Sequence, residues 1–461
     1  MHDDIFHIDR LGACTVPSPI NLGTDAGDRL ADFTPDDARV VADLDLCSIE
    51  KHAAQGKAPP AMEVAGPRRN IYFDPSKLKA GIVTCGGLCP GLNDVIRGLV
   101  MTLHYGYGVP SIFGFRYGYA GLIPKYHYPV MELTPESVMD IHKAGGTILG
   151  TSRGQQDVGG MVDALERMNV GLLFVIGGDG TFRGGLALYE EVMRRGVKIG
   201  VVGVPKTIDN DIPHVDLTFG FRTAVAEASH AIQAAYYEAT SARHGIGLVK
   251  LMGRHSGFIA ANAALANRNV NLVLVPEVRF DLEGENGLFG YLEKRFRKHK
   301  STVIVVAEGA GQELMAATNK TDASGNVKLS DIGAFLKQEI TGHFEGREEF
   351  TLKYIDPSYI IRSAPASPVD SIFCGYLAQA ASHAGMAGKT GMAVGRSHGR
   401  FTHIPIKQLV SGRKQIDPES DLWLSVLEST GQPFYLQNEP PKRLSRASMA
   451  PEDAKAGSGE F

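Results

Sequence analysis

Apolar residues in this chain gather into short continuous runs, separated by stretches in which they recur at helical spacing. Runs of that kind are buried on both faces, as parallel strands are when helices cover them, so the pattern predicts an α/β fold. The runs occupy residues 79–85, 110–113, 172–176, 198–204, 247–252, 270–275 and 302–307. Most stop at a glycine or proline: Gly86-Gly87, Gly177-Gly178, Pro205, Gly253 and Pro276. Helical spacing is found over 93–103, 223–240, 332–340 and 373–384, and 392–406 reads as a strand pair. Between the third and fourth runs Leu186, Leu188, Tyr189, Val192 and Met193 mark a helix, with Arg194 and Arg195 in its last turn and Gly196 as its stop.

Strand, glycine turn, helix and strand in that order make a right-handed βαβ unit, which brings both strand-end turns to one carboxyl edge. The first turn is Gly177-Gly178-Asp179-Gly180-Thr181 and the second runs from Pro205 through Lys206, Thr207, Ile208, Asp209 and Asn210 to Asp211. Gly178, Gly180 and Thr181 at a helix start suit a polyphosphate, because backbone N–H groups can approach it and the helix dipole favours anions. Asp179 is a hard ligand of the kind Mg²⁺ takes. Lys206 and Thr207 add a cation and a hydroxyl, and in an extended segment Asp209 and Asp211 point the same way. Phosphoryl transfer needs these residue types together.

With 461 residues, 43% hydrophobic and 21% charged, the chain has room for two domains of ordinary composition. Its 47 basic and 51 acidic residues leave a net charge of −4, which gives no general field for nucleic acid, so a phosphate site has to be a local cluster. No stretch reads as a membrane span or secretory signal. The five cysteines (14, 47, 85, 89 and 374) are odd in number and scattered, as free thiols in a reducing cytoplasm are; Cys85 and Cys89 lack the further ligands of a metal site and read as packed thiols. Residues 1–69 have little periodicity and read as an extension that wraps the body or as a disordered arm. Residues 438–461 read as a polar, disordered tail.

Four motifs in order, GGLCPGLNDVIR, IGGDGT, PKTIDNDI and KLMGRHSGF, resemble the 6-phosphofructokinase family, and most closely its ATP-dependent branch in plants and trypanosomatids. GGDGT also occurs in NAD and diacylglycerol kinases; the other three motifs single out this family. The resemblance implies two Rossmann-like three-layer domains with mainly parallel sheets. These are a nucleotide-binding domain (77–223 and 362–420) and a sugar-phosphate domain (224–361), flanked by an extension (1–76) and a C-terminal segment (421–461). It further implies a homotetramer that binds ATP, Mg²⁺ and fructose 6-phosphate.

Carried over residue by residue, the resemblance puts ATP phosphates at Gly87 and the 177–181 turn, adenine on Tyr119, and Arg153 between donor and acceptor. Lys206 and Thr207 then stabilise the moving phosphoryl group, Asp209 is the base for the sugar 1-hydroxyl, and Asp179 and Asp211 hold Mg²⁺. Met252, Gly253, Arg254 and Glu277 contact the sugar together with Thr207 and Asp209, while Lys353, Tyr359 and Arg362 take its 6-phosphate. Gly245 falls where bacterial members place an arginine that crosses between subunits, with Arg243 and His244 as nearby substitutes. Gly180 with Lys206 is the ATP-using pairing, whereas pyrophosphate users carry Asp at the glycine. Pyrophosphate use is the alternative reading. A non-catalytic paralogue would be expected to lose one of the carboxylates retained here.

Overall fold

The computed structural model describes residues 4–23, 31–316, 321 and 327–439. The 440–461 part of the tail lies outside them. In chain order the strands β1 (Arg39–Val41), β2 (Ala61–Val64), β3 (Lys79–Thr84), β4 (Ser111–Phe115), β5 (Val130–Glu132), β6 (Leu172–Gly177) and β7 (Gly200–Pro205) belong to one large sheet. The chain then builds a second sheet from β8 (Gly245–Leu251), β9 (Leu272–Leu274), β10 (Ser301–Ala307) and β11 (Thr351–Ile355). It returns to the first with β12 (Met392–Ser397) and β13 (Arg400–Pro405).

The large sheet runs β1-β2-β13-β12-β7-β6-β3-β4-β5, with β12, β7, β6, β3 and β4 parallel and antiparallel strands at both edges. The smaller sheet, β9-β10-β8-β11, is parallel throughout. Alternation within β6 explains its unbroken apolar run. Leu172, Phe174 and Ile176 pack into the core that holds helices Leu92–Met101 and Pro368–Met386, while Leu173 and Val175 pack on the opposite face with Phe182, Leu188 and Val192 of helix Asp179–Arg195. That helix ends on Gly196 at φ 68, the left-handed stop read from the sequence.

The 20-residue helix Phe221–Thr240 leads from the first sheet to the second. It lies so close to β8 that a Cβ on Gly245 would sit 2.0 Å from the Ala239 carbonyl oxygen, and one on Gly247 2.6 Å from that of Ala235. Only glycine fits at 245, so no side chain there could reach across to a neighbouring subunit. His244 stacks on Phe296 at 4.8 Å, which leaves Arg243 as the exposed cation of that turn.

Part of the N-terminal extension is built into the body. β1 and β2 extend the sheet beyond β13, and Glu63, buried on β2, accepts from Lys389 and lies 3.2 Å from His403 Nδ1 and from Arg39. Against the opposing effect of burial, His403 and Lys389 hold its carboxyl far below the usual range, and burial pushes His403 down to about 4. At the other end, helix Asp421–Thr430 packs on helix Phe258–Asn267, and Gln432 Oε1 accepts from Val273 N at 2.7 Å. Among the described residues no helix is long and apolar enough to cross a membrane.

Candidate active site

The in-register pairing of Pro205 with Gly177 puts the ends of β6 and β7 side by side, and Lys206 N donates to Gly177 O at 2.9 Å. β3 ends beside them, with Cys85 N donating to Ile176 O at 3.0 Å. Three turns therefore converge. Lys206 Nζ donates to Gly87 O at 2.8 Å; it is buried, and that burial pushes its pKa below the ordinary value. Gly87 also lies next to Arg153, since a Cβ there would come within 3.4 Å of the guanidinium. A Cβ on Gly180 would meet nothing within 4 Å, so the helix start is open on that side. Cys85 and Cys89 are buried, with thiols pushed up to about 12 by burial, as packed thiols should be.

Tyr119 is placed otherwise than expected. Its ring is 7% exposed, the hydroxyl donates to Thr181 O at 2.7 Å, and a Cβ on Gly184 would come within 2.7 Å of the ring. It props the 177–181 turn from behind and offers no open face for a base to stack on.

The loop after β7 is pinned from inside. Asn210 at φ 57 accepts from Thr218 N at 3.0 Å, Thr218 Oγ1 donates to Thr207 O at 2.7 Å, and Ser256 Oγ of the second domain donates to Asp209 O at 3.2 Å. Left-handed backbone at Asn210 breaks the extended geometry assumed for this segment, so the two carboxylates diverge. Asp211 turns back to Thr207 Oγ1, which donates to its Oδ1 at 2.8 Å. Asp209 turns inward, and its Oδ1 is buried with no hydrogen-bond partner among the described residues. Burial pushes the Asp209 carboxyl up to about 7, with Asp211 and Glu308 adding to the rise and Arg362 opposing it.

Two residues that sequence reading passed over belong here. Glu308, at the carboxyl end of β10, is the second-domain carboxylate beside Asp209, and its own pKa is raised by burial against the pull of Arg362, Lys250 and Arg254. Arg413 lies between the carboxylates expected to hold metal, 3.1 Å from Asp179 Oδ2 and 3.4 Å from Asp211 Oδ2. Glu277 is engaged by backbone donors. Its oxygens accept from Gly257 N at 3.0 Å and Ile416 N at 2.9 Å.

Of the sugar-side residues, Met252 is buried and its sulfur accepts from Arg362 Nε at 3.1 Å, while Gly253 at φ 132 turns the chain toward Arg254. Arg254 donates to Val327 O. Tyr359 and Arg362 are three residues apart on helix Ser358–Ser363, with Tyr359 83% exposed; Lys353 is exposed on β11.

Two facing α/β domains, with glycine turns and a buried carboxyl where the sheets end, define a two-domain enzyme fold built around a phosphate-bearing ligand. A phosphofructokinase family model matches residues 79–384. The chain is 48% identical to the ATP-dependent 6-phosphofructokinase of Amycolatopsis methanolica over 94% of its own length and 96% of that protein's. It is 51% identical to the enzyme of that name from Borreliella burgdorferi (82% and 86% covered) and 48% identical to that from Trypanosoma cruzi (81% and 77%). The pyrophosphate-dependent phosphofructokinase from Marinobacter aquaeolei shares the fold, with a TM-score of 0.64 at 18% identity over 79% of this chain and 94% of that one. This chain belongs to the phosphofructokinase family.

Proposed function

We propose that the protein transfers the terminal phosphoryl group of ATP to the 1-hydroxyl of fructose 6-phosphate, giving fructose 1,6-bisphosphate and ADP. Relatives that match 82% and 94% of the chain carry the name of that activity. The observation that carries the reading is Asp209: a buried carboxyl with an unpartnered oxygen and a pKa raised to about 7, near the glycine turns and within the field of Arg362. A base for an alcohol needs an affinity for protons close to the working pH, and Asp209 has it.

In this reading Asp209 accepts the hydroxyl proton as the sugar oxygen bonds to the γ-phosphorus and the bond from phosphorus to the bridging oxygen breaks, releasing ADP. Lys206, Thr207 and Arg153 stabilise the transferred oxygens, with the donor phosphates on Gly87, Gly178, Gly180 and Thr181. Met252, Gly253 and Arg254 line the sugar, with Glu308 now beside them, and Arg362, Lys353 and Tyr359 take the 6-phosphate. Asp179 and Asp211 fit Mg²⁺ as hard oxygen ligands close enough to share one guanidinium, and Mg²⁺ would neutralise charge on the donor phosphates. The open space at Gly180 suits an α-phosphate and so favours ATP over pyrophosphate.

Assaying the purified protein with fructose 6-phosphate and each donor in turn tests the proposal. Turnover with ATP is expected, and activity confined to pyrophosphate would overturn the choice of donor. The proposal includes a cytoplasmic homotetramer, which a mass measurement in solution checks in part.

A further inference from the structure

Residues 413–416 hold groups on both sides of the candidate site. Toward the first domain, the Arg413 guanidinium bridges Asp179 and Asp211, Lys414 N donates to Asp211 O at 2.8 Å, and Lys414 Nζ donates to Val215 O at 2.9 Å. Toward the second, Gln415 Nε2 donates to His255 O at 2.8 Å and Ile416 N donates to Glu277 Oε1 at 2.9 Å. Four consecutive residues thus tie the carboxylates of the proposed metal site to the turns that follow β8 and β9.

A guanidinium and a divalent cation compete for these carboxylates, by charge and by space. Asp211 Oδ1 accepts from Thr207 and its Oδ2 faces Arg413, so a cation approaching Oδ2 meets the guanidinium. Arg413 is 32% exposed and not deeply buried, so its hold is of the modest size that a competitor can displace. Arg183 also touches Asp179, at 3.3 Å, but from the next turn of the same helix and 63% exposed.

We propose that Arg413 is a displaceable counter-ion and a positioning residue for the reaction. Without donor it neutralises Asp179 and Asp211. When a metal-bound phosphate takes those oxygens, Arg413 is released, and the strap that it anchors changes its grip on His255 and Glu277. Donor occupancy is thereby felt on the sugar side of the cleft. This inference rests on the metal role proposed above for Asp179 and Asp211.

The test is a titration of the full-length protein with Mn²⁺, a paramagnetic stand-in for Mg²⁺, with free ion followed by electron paramagnetic resonance and no nucleotide present. Arg413→Ala should bind Mn²⁺ about fivefold tighter than wild type, the effect expected for losing one partly exposed cation from two carboxylates. Arg413→Lys should fall between them, and it carries the test if the alanine variant does not fold. The gain should vanish when Asp211→Asn is added. A second readout is fructose 6-phosphate affinity by calorimetry, with and without Mn²⁺ and a non-hydrolysable ATP analogue; the shift seen in wild type should shrink in Arg413→Ala. Equal Mn²⁺ affinity in wild type and both Arg413 variants, with Asp211→Asn abolishing binding, would overturn the counter-ion and leave the metal site standing. Mn²⁺ binding indifferent to Asp211→Asn would overturn the metal assignment itself.

Discussion

Replacing Asp209 with asparagine removes the charge on which the proposed chemistry depends, and the burial that raises its proton affinity also sets what the carboxyl costs the fold. Its pKa is pushed up to about 7 in the native protein, whereas an unfolded chain releases that proton near pH ~4. Between those two values the unfolded state holds fewer protons than the native one, so stability falls as pH rises through the window and levels off above it. A rise of about three pH units is worth on the order of 4 kcal/mol, a sizeable part of a domain's net stability. Asparagine has nearly the same shape and does not carry this penalty. Ligand-free Asp209→Asn should therefore resist urea better than wild type at about pH 8, with the advantage shrinking toward about pH 4. Its turnover should fall by orders of magnitude. Urea unfolding at several pH values, paired with single-turnover kinetics, reads both. Parallel stability curves for the two proteins across the window would refute the account of a buried, raised carboxyl, and near-normal turnover would remove Asp209 as the base.

Glu308→Gln takes away one of the like charges that raise Asp209, so the acid limb of the kcat/KM profile should move to lower pH, and a limb that stays in place would deny the coupling. Gly180→Asp has room for its side chain, so urea stability should be unchanged while the ATP KM rises by roughly tenfold or more through repulsion of the phosphates. Glu63→Gln strands Lys389 in the interior without its counter-ion and should cost about 3 kcal/mol or more in denaturant titration, with little effect on KM.

The sequence was most readable where burial is simplest. β3, β6, β7, β8 and β10 stand out because both faces are covered, which leaves an unbroken apolar run with a glycine or proline soon after it. β1, β2 and β5, of three or four residues, are too short to show any period and were missed, as was β11, half-exposed along its length. Helices Val158–Arg167 and Leu288–Lys298 were passed over as well, the second because Arg and Lys crowd its outer face. At the site, the turns that share one βαβ unit could be placed from order alone. Arg413 could not, because its partners lie 202 and 234 residues away and only tertiary packing joins them. Tyr119 was visible as an aromatic beside a glycine, but the side on which its ring lies is decided by Gly184, a distant neighbour in sequence.

Opposed charges surround Asp209, and that opposition bears on the order of events. Arg362 is the group that pulls the Asp209 pKa down, while Asp211 and Glu308 push it up. If the sugar's 6-phosphate sits on Arg362, as proposed, part of that cation's field is cancelled and Asp209 becomes a stronger base just as the hydroxyl is delivered. A cation held by Asp211 would cancel the charge with which Asp211 raises Asp209, and so would favour the ionised form. With sugar alone the carboxyl tends to keep its proton, and with donor alone it has no hydroxyl to act on. Only the full complex brings together an ionised base and the sugar's own hydroxyl.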